Sequence, residues 1–303
     1  MGFPLRVITR STTMAAFGLA CVWTSQLAQG ATSQHAIQAA LAAAPAALAV
    51  PDPDAASIRK HRLKHFEDKL TADPQVLREQ CKYESDISTP PPSRRVALTF
   101  DDGPEPGQTE IILDVLARHQ IRATFFMIGH KVQQHPELVE RVRAAGHLVI
   151  ANHSWDHPNF HDVSIEAQAQ EVIKAEAVLA PDLQQVRLFR YPYGNSSCET
   201  NALLRERGYR IVGWHVDSCD WAFDRTGTVD SKEAATCGVL AQFHGNYAAH
   251  VLSAIRAHNG GIVLMHEIHP GTVRQLDAIV TSIEADGFSF GSVDEAVFSS
   301  SLR

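Results

Sequence analysis

From residue 93 onward, short apolar runs rich in β-branched and aromatic residues alternate with amphipathic stretches of helical period, and few architectures accept that text. The spacing predicts buried strands over residues 96–100, 123–128, 147–151, 186–189, 209–216 and 261–265, with a seventh over 288–290. Between them Ile111, Ile112, Val115 and Leu116 mark one helix face, and Leu138, Val139 and Val142 mark another that ends at Gly146. Val172, Ala175 and Leu179 repeat the pattern behind an expected Ser164 N-cap, as do Leu276, Ile279, Val280 and Ile283 before Gly287. Repeated strand-then-helix text implies parallel strands joined by crossovers, in an open doubly wound sheet or a barrel.

The text upstream has a different character. Residues 1–30 carry Arg6 and Arg10, an apolar run from Met14 to Trp23 and the small-x-small step Ala28-Gln29-Gly30, the three-part layout of a secretory signal peptide. Export, to a periplasm or beyond the cell, is therefore expected. Cys21 follows Gly18-Leu19-Ala20, a poor lipidation box. No run reaches the 18 or so apolar residues that a membrane span needs, so no transmembrane segment is expected in the mature protein. Residues 31–92 read as an Ala/Pro-rich linker followed by exposed helices over 58–83, closed by Pro90-Pro91-Pro92, which places the main domain at 93–300. Cys81, Cys198, Cys219 and Cys237 are an even set for an oxidising compartment, so disulfides are expected, with three pairings open. A formal net charge of -7 gives no attraction to nucleic acid or to an anionic membrane; a neutral polymer is the easier substrate.

Polar residues fall where the expected strands end. Asp101-Asp102 follows the first, His153 and His157 the third, Arg190 and Tyr193 the fourth, Asp217 the fifth and His266 the sixth. In a β/α barrel these ends meet at one mouth, where active sites are built. Adjacent carboxylates leaving a strand point in different directions, so one can bind a metal while its neighbour stays free as a base. Two histidines at i and i+4 opposite Asp102 would complete a two-histidine, one-carboxylate set with open positions. That set also suits non-haem iron, so ligand type alone leaves the metal open. Arg190 is suited to pair with the free carboxylate.

Taken in order, the segments Thr99-Phe100-Asp101-Asp102, His153-Ser154-x-x-His157, Arg190-x-Pro192-Tyr193, Asp217-x-x-Asp220-Trp221 and Leu264-x-His266 resemble the five motifs of the polysaccharide deacetylase family. This is the NodB-homology domain of carbohydrate esterase family 4, and the likeness covers roughly residues 95 to 290. The resemblance implies an α/β fold, a distorted (β/α)7 barrel here preceded by an N-terminal helical extension, and metal-dependent hydrolysis of acetyl groups on sugars. It implies Asp102, His153 and His157 as ligands of Zn2+, or of another divalent ion such as Co2+, and Asp101 as the general base. It further implies the Tyr193 backbone N–H as an oxyanion donor, His266 as the acid, Asp217 as the residue that orients His266, and Arg190 as the partner of Asp101. Leu264 and Trp221, beside Tyr193, would line a pocket for the acetyl methyl. The implied partner is an acetylated polysaccharide or oligosaccharide, with N-acetylglucosamine in peptidoglycan ahead of chitin-like polymers, and a monomer is expected. An O-acetyl esterase and a silent carbohydrate-binding member are the alternatives; an iron oxygenase is disfavoured because its usual scaffold is an all-β jelly roll. Residues 222–260, between the last two motifs, are longer than the family text, with no role assigned.

Overall fold

The computed structural model describes residues 63–64, 67–68, 71–146 and 148–303. The signal-peptide and Ala/Pro-linker readings, and that for His147, lie outside the described residues. A short helix, α1 (Pro74–Glu79), starts on Asp73, whose side chain accepts from the Gln75 N–H, and buries no residue, as expected of an exposed extension.

Eight strands follow, interleaved with helices: β1 (Arg95–Gly103), β2 (Thr124–Met127), β3 (Val149–Asn152), β4 (Arg187–Phe189), β5 (Tyr209–Ile211), β6 (Val216–Asp217), β7 (Gly260–His266) and β8 (Ser289–Gly291). All pairings between them are parallel, in the order β5-β4-β3-β2-β1-β7-β6, and β8 pairs with the start of β1. The result is an incomplete barrel of parallel strands wrapped by helices.

Strand alternation sets its layers. Val96, Leu98 and Phe100 face the helices, in a core with Ile112, Val115, Leu116, Val139 and Ile279. Ala97 faces inward with Phe126, Ala151, Leu188 and Ile262. The helix over Thr109–His119 buries Ile112, Val115 and Leu116 but leaves Ile111 45% exposed, so the core stripe is narrower than the apolar text suggests. The helix over Ile165–Leu179 starts on the Ser164 side chain and buries Val172, Ala175 and Leu179.

Two expectations are corrected. The single strand expected over 209–216 is two strands, because β5 pairs with β4 and β6 with β7, at opposite ends of the sheet. Residues 212–215 carry the chain across the seam, with the Val212 N–H on Phe189 O and the His215 N–H on Ile262 O. The boundary placed at residue 92 is not a structural break either. The Trp214 N–H donates to Ser85 O at 2.8 Å, Ile87 N–H to Trp214 O at 3.1 Å and Glu84 N–H to Gly194 O at 2.9 Å, so residues 84–87 fill the seam. A Cβ on Gly213 would lie 2.1 Å from Ser85 O, so only glycine permits this approach. The disulfide Cys81–Cys198 ties the extension to the barrel, and Cys219–Cys237 is the second bridge.

Candidate active site

The inward parity of each strand, continued past its last apolar residue, selects the polar groups of the mouth. Ala97, Thr99 and Asp101 share one face of β1, Ile262, Leu264 and His266 one face of β7, and Asp101 is paired in register with His266. Leu188 leads in the same way to Arg190, and Ala151 to His153. Asp102 would face outward on a regular strand. A register shift between Asp101 and Gly103, with Asp102 at φ 70°, turns its carboxylate inward instead.

Asp102 Oδ1 lies 3.4 Å from His153 Nε2 and 3.2 Å from His157 Nε2. His153 Nδ1 donates to Arg190 O at 2.8 Å, which leaves the Nε2 lone pair facing the aspartate. Ser154 at φ 69° and His157 at φ 56° form the turn that brings His157 back, fixed by the His157 N–H on Ser154 Oγ. Such left-handed non-glycine backbone is costly and clusters at functional sites. Burial pushes His157 down to about 3, so its imidazole is neutral. Burial works the other way on Asp102, but the surrounding imidazoles outweigh it and hold the carboxyl well below its usual range. Both are therefore in the protonation state that binds metal. Asp102 Oδ1, fully buried, has no hydrogen-bond partner among the described residues. A buried carboxylate oxygen facing two imidazole lone pairs is the environment a divalent cation would satisfy, so the donor set fits a metal.

Two pairs of opposite polarity flank this set. On one side the wholly buried Arg190 Nη1 donates to Asp101 Oδ1 and to Thr99 Oγ1, each at 2.7 Å. Its other nitrogens donate to Val212 O and Gly213 O, and its guanidinium stands 4.1 Å from the Phe126 ring centroid. A buried guanidinium is tolerated only when paired this fully. On the other side His266 Nδ1 is 2.7 Å from Asp220 Oδ1, while Asp220 Oδ2 accepts from the His266 N–H and Thr272 Oγ1. Burial opposes protonation of His266, but Asp220, Asp102 and Asp101 outweigh it and push the imidazole up to about 9.

One cavity is lined by Asp101, Asp102, His153, His157, Tyr191, Tyr193, Trp214 and His266. The structure thus brings together the expected ligands, base, acid and Tyr193, whose ring packs 4.7 Å from that of His157. It corrects one assignment. The carboxylate on His266 is Asp220, not Asp217; Asp217 Oδ1 accepts from the Cys219 N–H and shapes the turn instead. Leu264 and Trp221 are buried beside the cavity, Leu264 on the face of β7 that carries His266 and Trp221 in one apolar cluster with Tyr193; Trp214 and Tyr191 belong to the lining as well. Trp214 was hidden inside the apolar run 209–216, and only its place at the seam brings it to the mouth.

Sequence reasoning also missed Glu267, the residue after His266. It is 0% exposed, and burial pushes its carboxyl up to about 8. An acid directly behind a strand-end histidine was its only sequence signal.

The family model for polysaccharide deacetylases matches residues 88–212. A peptidoglycan-N-acetylglucosamine deacetylase of Listeria monocytogenes is 36% identical over 204 residues, covering 67% of this chain and 39% of the relative. The chain thus spans about two fifths of that relative's length. A chitooligosaccharide deacetylase of Rhizobium leguminosarum bv. trifolii is 35% identical over 219 residues, 67% of this chain and 91% of the relative. Among solved structures, a family 4 carbohydrate esterase from Streptomyces lividans superposes with a TM-score of 0.52 at 28% identity, covering 65% of this chain and 91% of that one. The Bc1960 peptidoglycan N-acetylglucosamine deacetylase gives 0.57 at 28% identity, covering 73% and 95%. With nearly the whole Rhizobium relative matched and the same parallel half-barrel underneath, the chain belongs to the polysaccharide deacetylase family.

Proposed function

We propose that the protein is a metal-dependent hydrolase that removes N-acetyl groups from an N-acetylglucosamine-containing polysaccharide, with peptidoglycan ahead of chitin-like polymers. One observation carries the reading: an Asp-His-His donor set, an arginine-paired carboxylate and an aspartate-paired imidazole line a single cavity. Asp102, His153 and His157 would hold the ion, proposed as Zn2+. When bound, such an ion polarises the acetyl carbonyl and lowers the pKa of the attacking water.

The remaining work falls to the chain. Asp101, anchored through Oδ1 on Arg190, offers Oδ2 to the proton of the attacking water. The Tyr193 backbone N–H is the proposed donor to the developing oxyanion. His266, protonated up to about pH 9, supplies the proton without which an amine is a poor leaving group, and Asp220 holds its ring in place. Trp214 and Tyr191 give the acetyl methyl an apolar wall and exclude water. The names of the Listeria and Rhizobium relatives support the substrate class. Two disulfides support an exported, oxidising place of action.

The test is acetate release from N-acetylglucosamine oligomers, peptidoglycan and acetylxylan, with and without a chelator. Chelator-sensitive release from the N-acetyl substrates is expected. Release confined to acetylxylan, or indifferent to the chelator, would reject the proposal.

A further inference from the structure

Behind the donor set lies a buried polar network that the proposed chemistry does not use. Glu267 is wholly buried on the far side of the Asp101–Gly103 turn. Its N–H donates to Asp101 O at 2.9 Å, and its Oε2 accepts from Thr109 Oγ1. That hydroxyl in turn accepts from the Glu105 N–H at 2.8 Å. Lys131 Nζ closes the ring, donating to Asp102 O and to Glu105 Oε2, each at 2.9 Å. The other carboxyl oxygen, Oε1, has no hydrogen-bond partner among the described residues and stands against Gly103. A Cβ on Gly103 would lie 1.7 Å from Oε1, and the next two nearest atoms, at 2.2 and 2.6 Å, are also of the Glu267 carboxyl.

A buried carboxyl oxygen without a partner is costly, so packing alone is a poor reason to keep an acid there. We infer that Glu267 is a positioning residue for the metal-binding aspartate: wedged against Gly103 and tied to Asp101 and Thr109, it holds the left-handed turn that aims Asp102 at His153 and His157. The inference rests on the proposed metal-binding role of those three residues. It accounts for the absent side chain at 103, for Lys131 on the Asp102 carbonyl, and for the inward aim of a residue that strand parity would send outward.

The experiment measures Zn2+ affinity of the full chain by competition with a coloured chelator, alongside the melting temperature of the chelator-stripped protein. Glu267→Ala is expected to weaken Zn2+ binding at least tenfold, the size of effect seen when a ligand's support is removed. Glu267→Gln keeps the shape and an acceptor for Thr109 and should bind within about threefold of wild type. Gly103→Ala should weaken binding by displacing the wedge. In Gly103→Ala/Glu267→Ala the losses should fall well short of multiplying, because both substitutions act on one contact. Wild-type affinity in Glu267→Ala, or losses that multiply, would overturn the inference. If Glu267→Ala does not fold, Gly103→Ala and Glu267→Asp decide: unchanged affinity in both would overturn it. Zn2+ binding that survives Asp102→Ala in an otherwise unaltered chain would overturn the metal-site reading itself, which separates the two failures.

Discussion

The two flanks of the cavity are built on opposite electrical plans. On the Asp101 side an anion is held by a buried cation, and on the His266 side a cation is held by a buried anion. Arg190 reaches four acceptors, two of them carbonyls of the seam-crossing segment 212–215, so the first flank is welded to the barrel wall. Asp220 sits on a loop between β6 and the helices of residues 222–260, and its neighbour Cys219 is bridged to Cys237. The second flank is thus held by a loop that a disulfide closes. The difference is one of anchorage: Asp101 is fixed through Arg190 to the barrel wall, whereas His266 is fixed through that loop.

Several substitutions test that contrast. The largest effect should come from its shared centre: Asp102→Ala or His157→Ala is expected to abolish bound metal and acetate release together, read by elemental analysis and an acetate assay. Next, Asp101→Asn should lower kcat about 10^2- to 10^4-fold on both N-acetyl and O-acetyl substrates while metal stays bound. His266→Ala should cost as much on an N-acetyl substrate but markedly less on an ester, whose leaving group has less need of the acid. Equal losses on the two substrates would erase the distinction between the flanks.

Asp220→Asn gives a smaller, pH-resolved change. His266 is raised in the folded chain from its ordinary 6.5 to about 9, so the proton it must donate is present below that value and lost above it. Without the Asp220 carboxylate, burial is opposed by Asp102 and Asp101, and the alkaline limb of kcat should move down from near pH 9. The stability that protonated His266 confers follows the same sign: it is complete below about pH 6.5 and disappears as pH rises through about 9. An unmoved alkaline limb would remove His266 from the acid role. The smallest effects should come from the bridges. Cys219→Ser with Cys237→Ser should lower kcat on N-acetyl substrates several-fold, through Asp220. Cys81→Ser with Cys198→Ser, which opens a loop of 117 residues rather than 18, should cost more in melting temperature than in turnover.

Strand parity explains why so much of the site was legible. Once Ala97, Ala151, Leu188 and Ile262 are read as inward, Asp101, His153, Arg190 and His266 follow at even steps along their strands. What was not legible depends on turns. Asp217 ends β6 and Asp220 lies three residues on in the loop that follows, and only the turn closed by the Cys219 N–H decides which reaches the histidine. Asp102 was assigned by resemblance, but its inward aim needs a bulge that periodicity does not contain. Trp214 and Glu267 carry no local pattern, because their roles arise from contacts with Ser85 and Gly103, each more than 100 positions away in the chain. The overlong strand at 209–216 failed for the same reason: its apolar text is continuous, while its pairing partners lie at opposite ends of the sheet.

The seam has a practical corollary. Because residues 84–87 occupy the place where another strand would close the ring, the unit that can be moved between proteins begins upstream of the family match at residue 88. A graft cut at residue 93 would carry every motif and still leave the Trp214 amide and the Gly194 carbonyl facing an open slot, with half of the Cys81–Cys198 bridge left behind. The letters that spell the chemistry and the letters that shut the vessel around it are separate stretches of this chain.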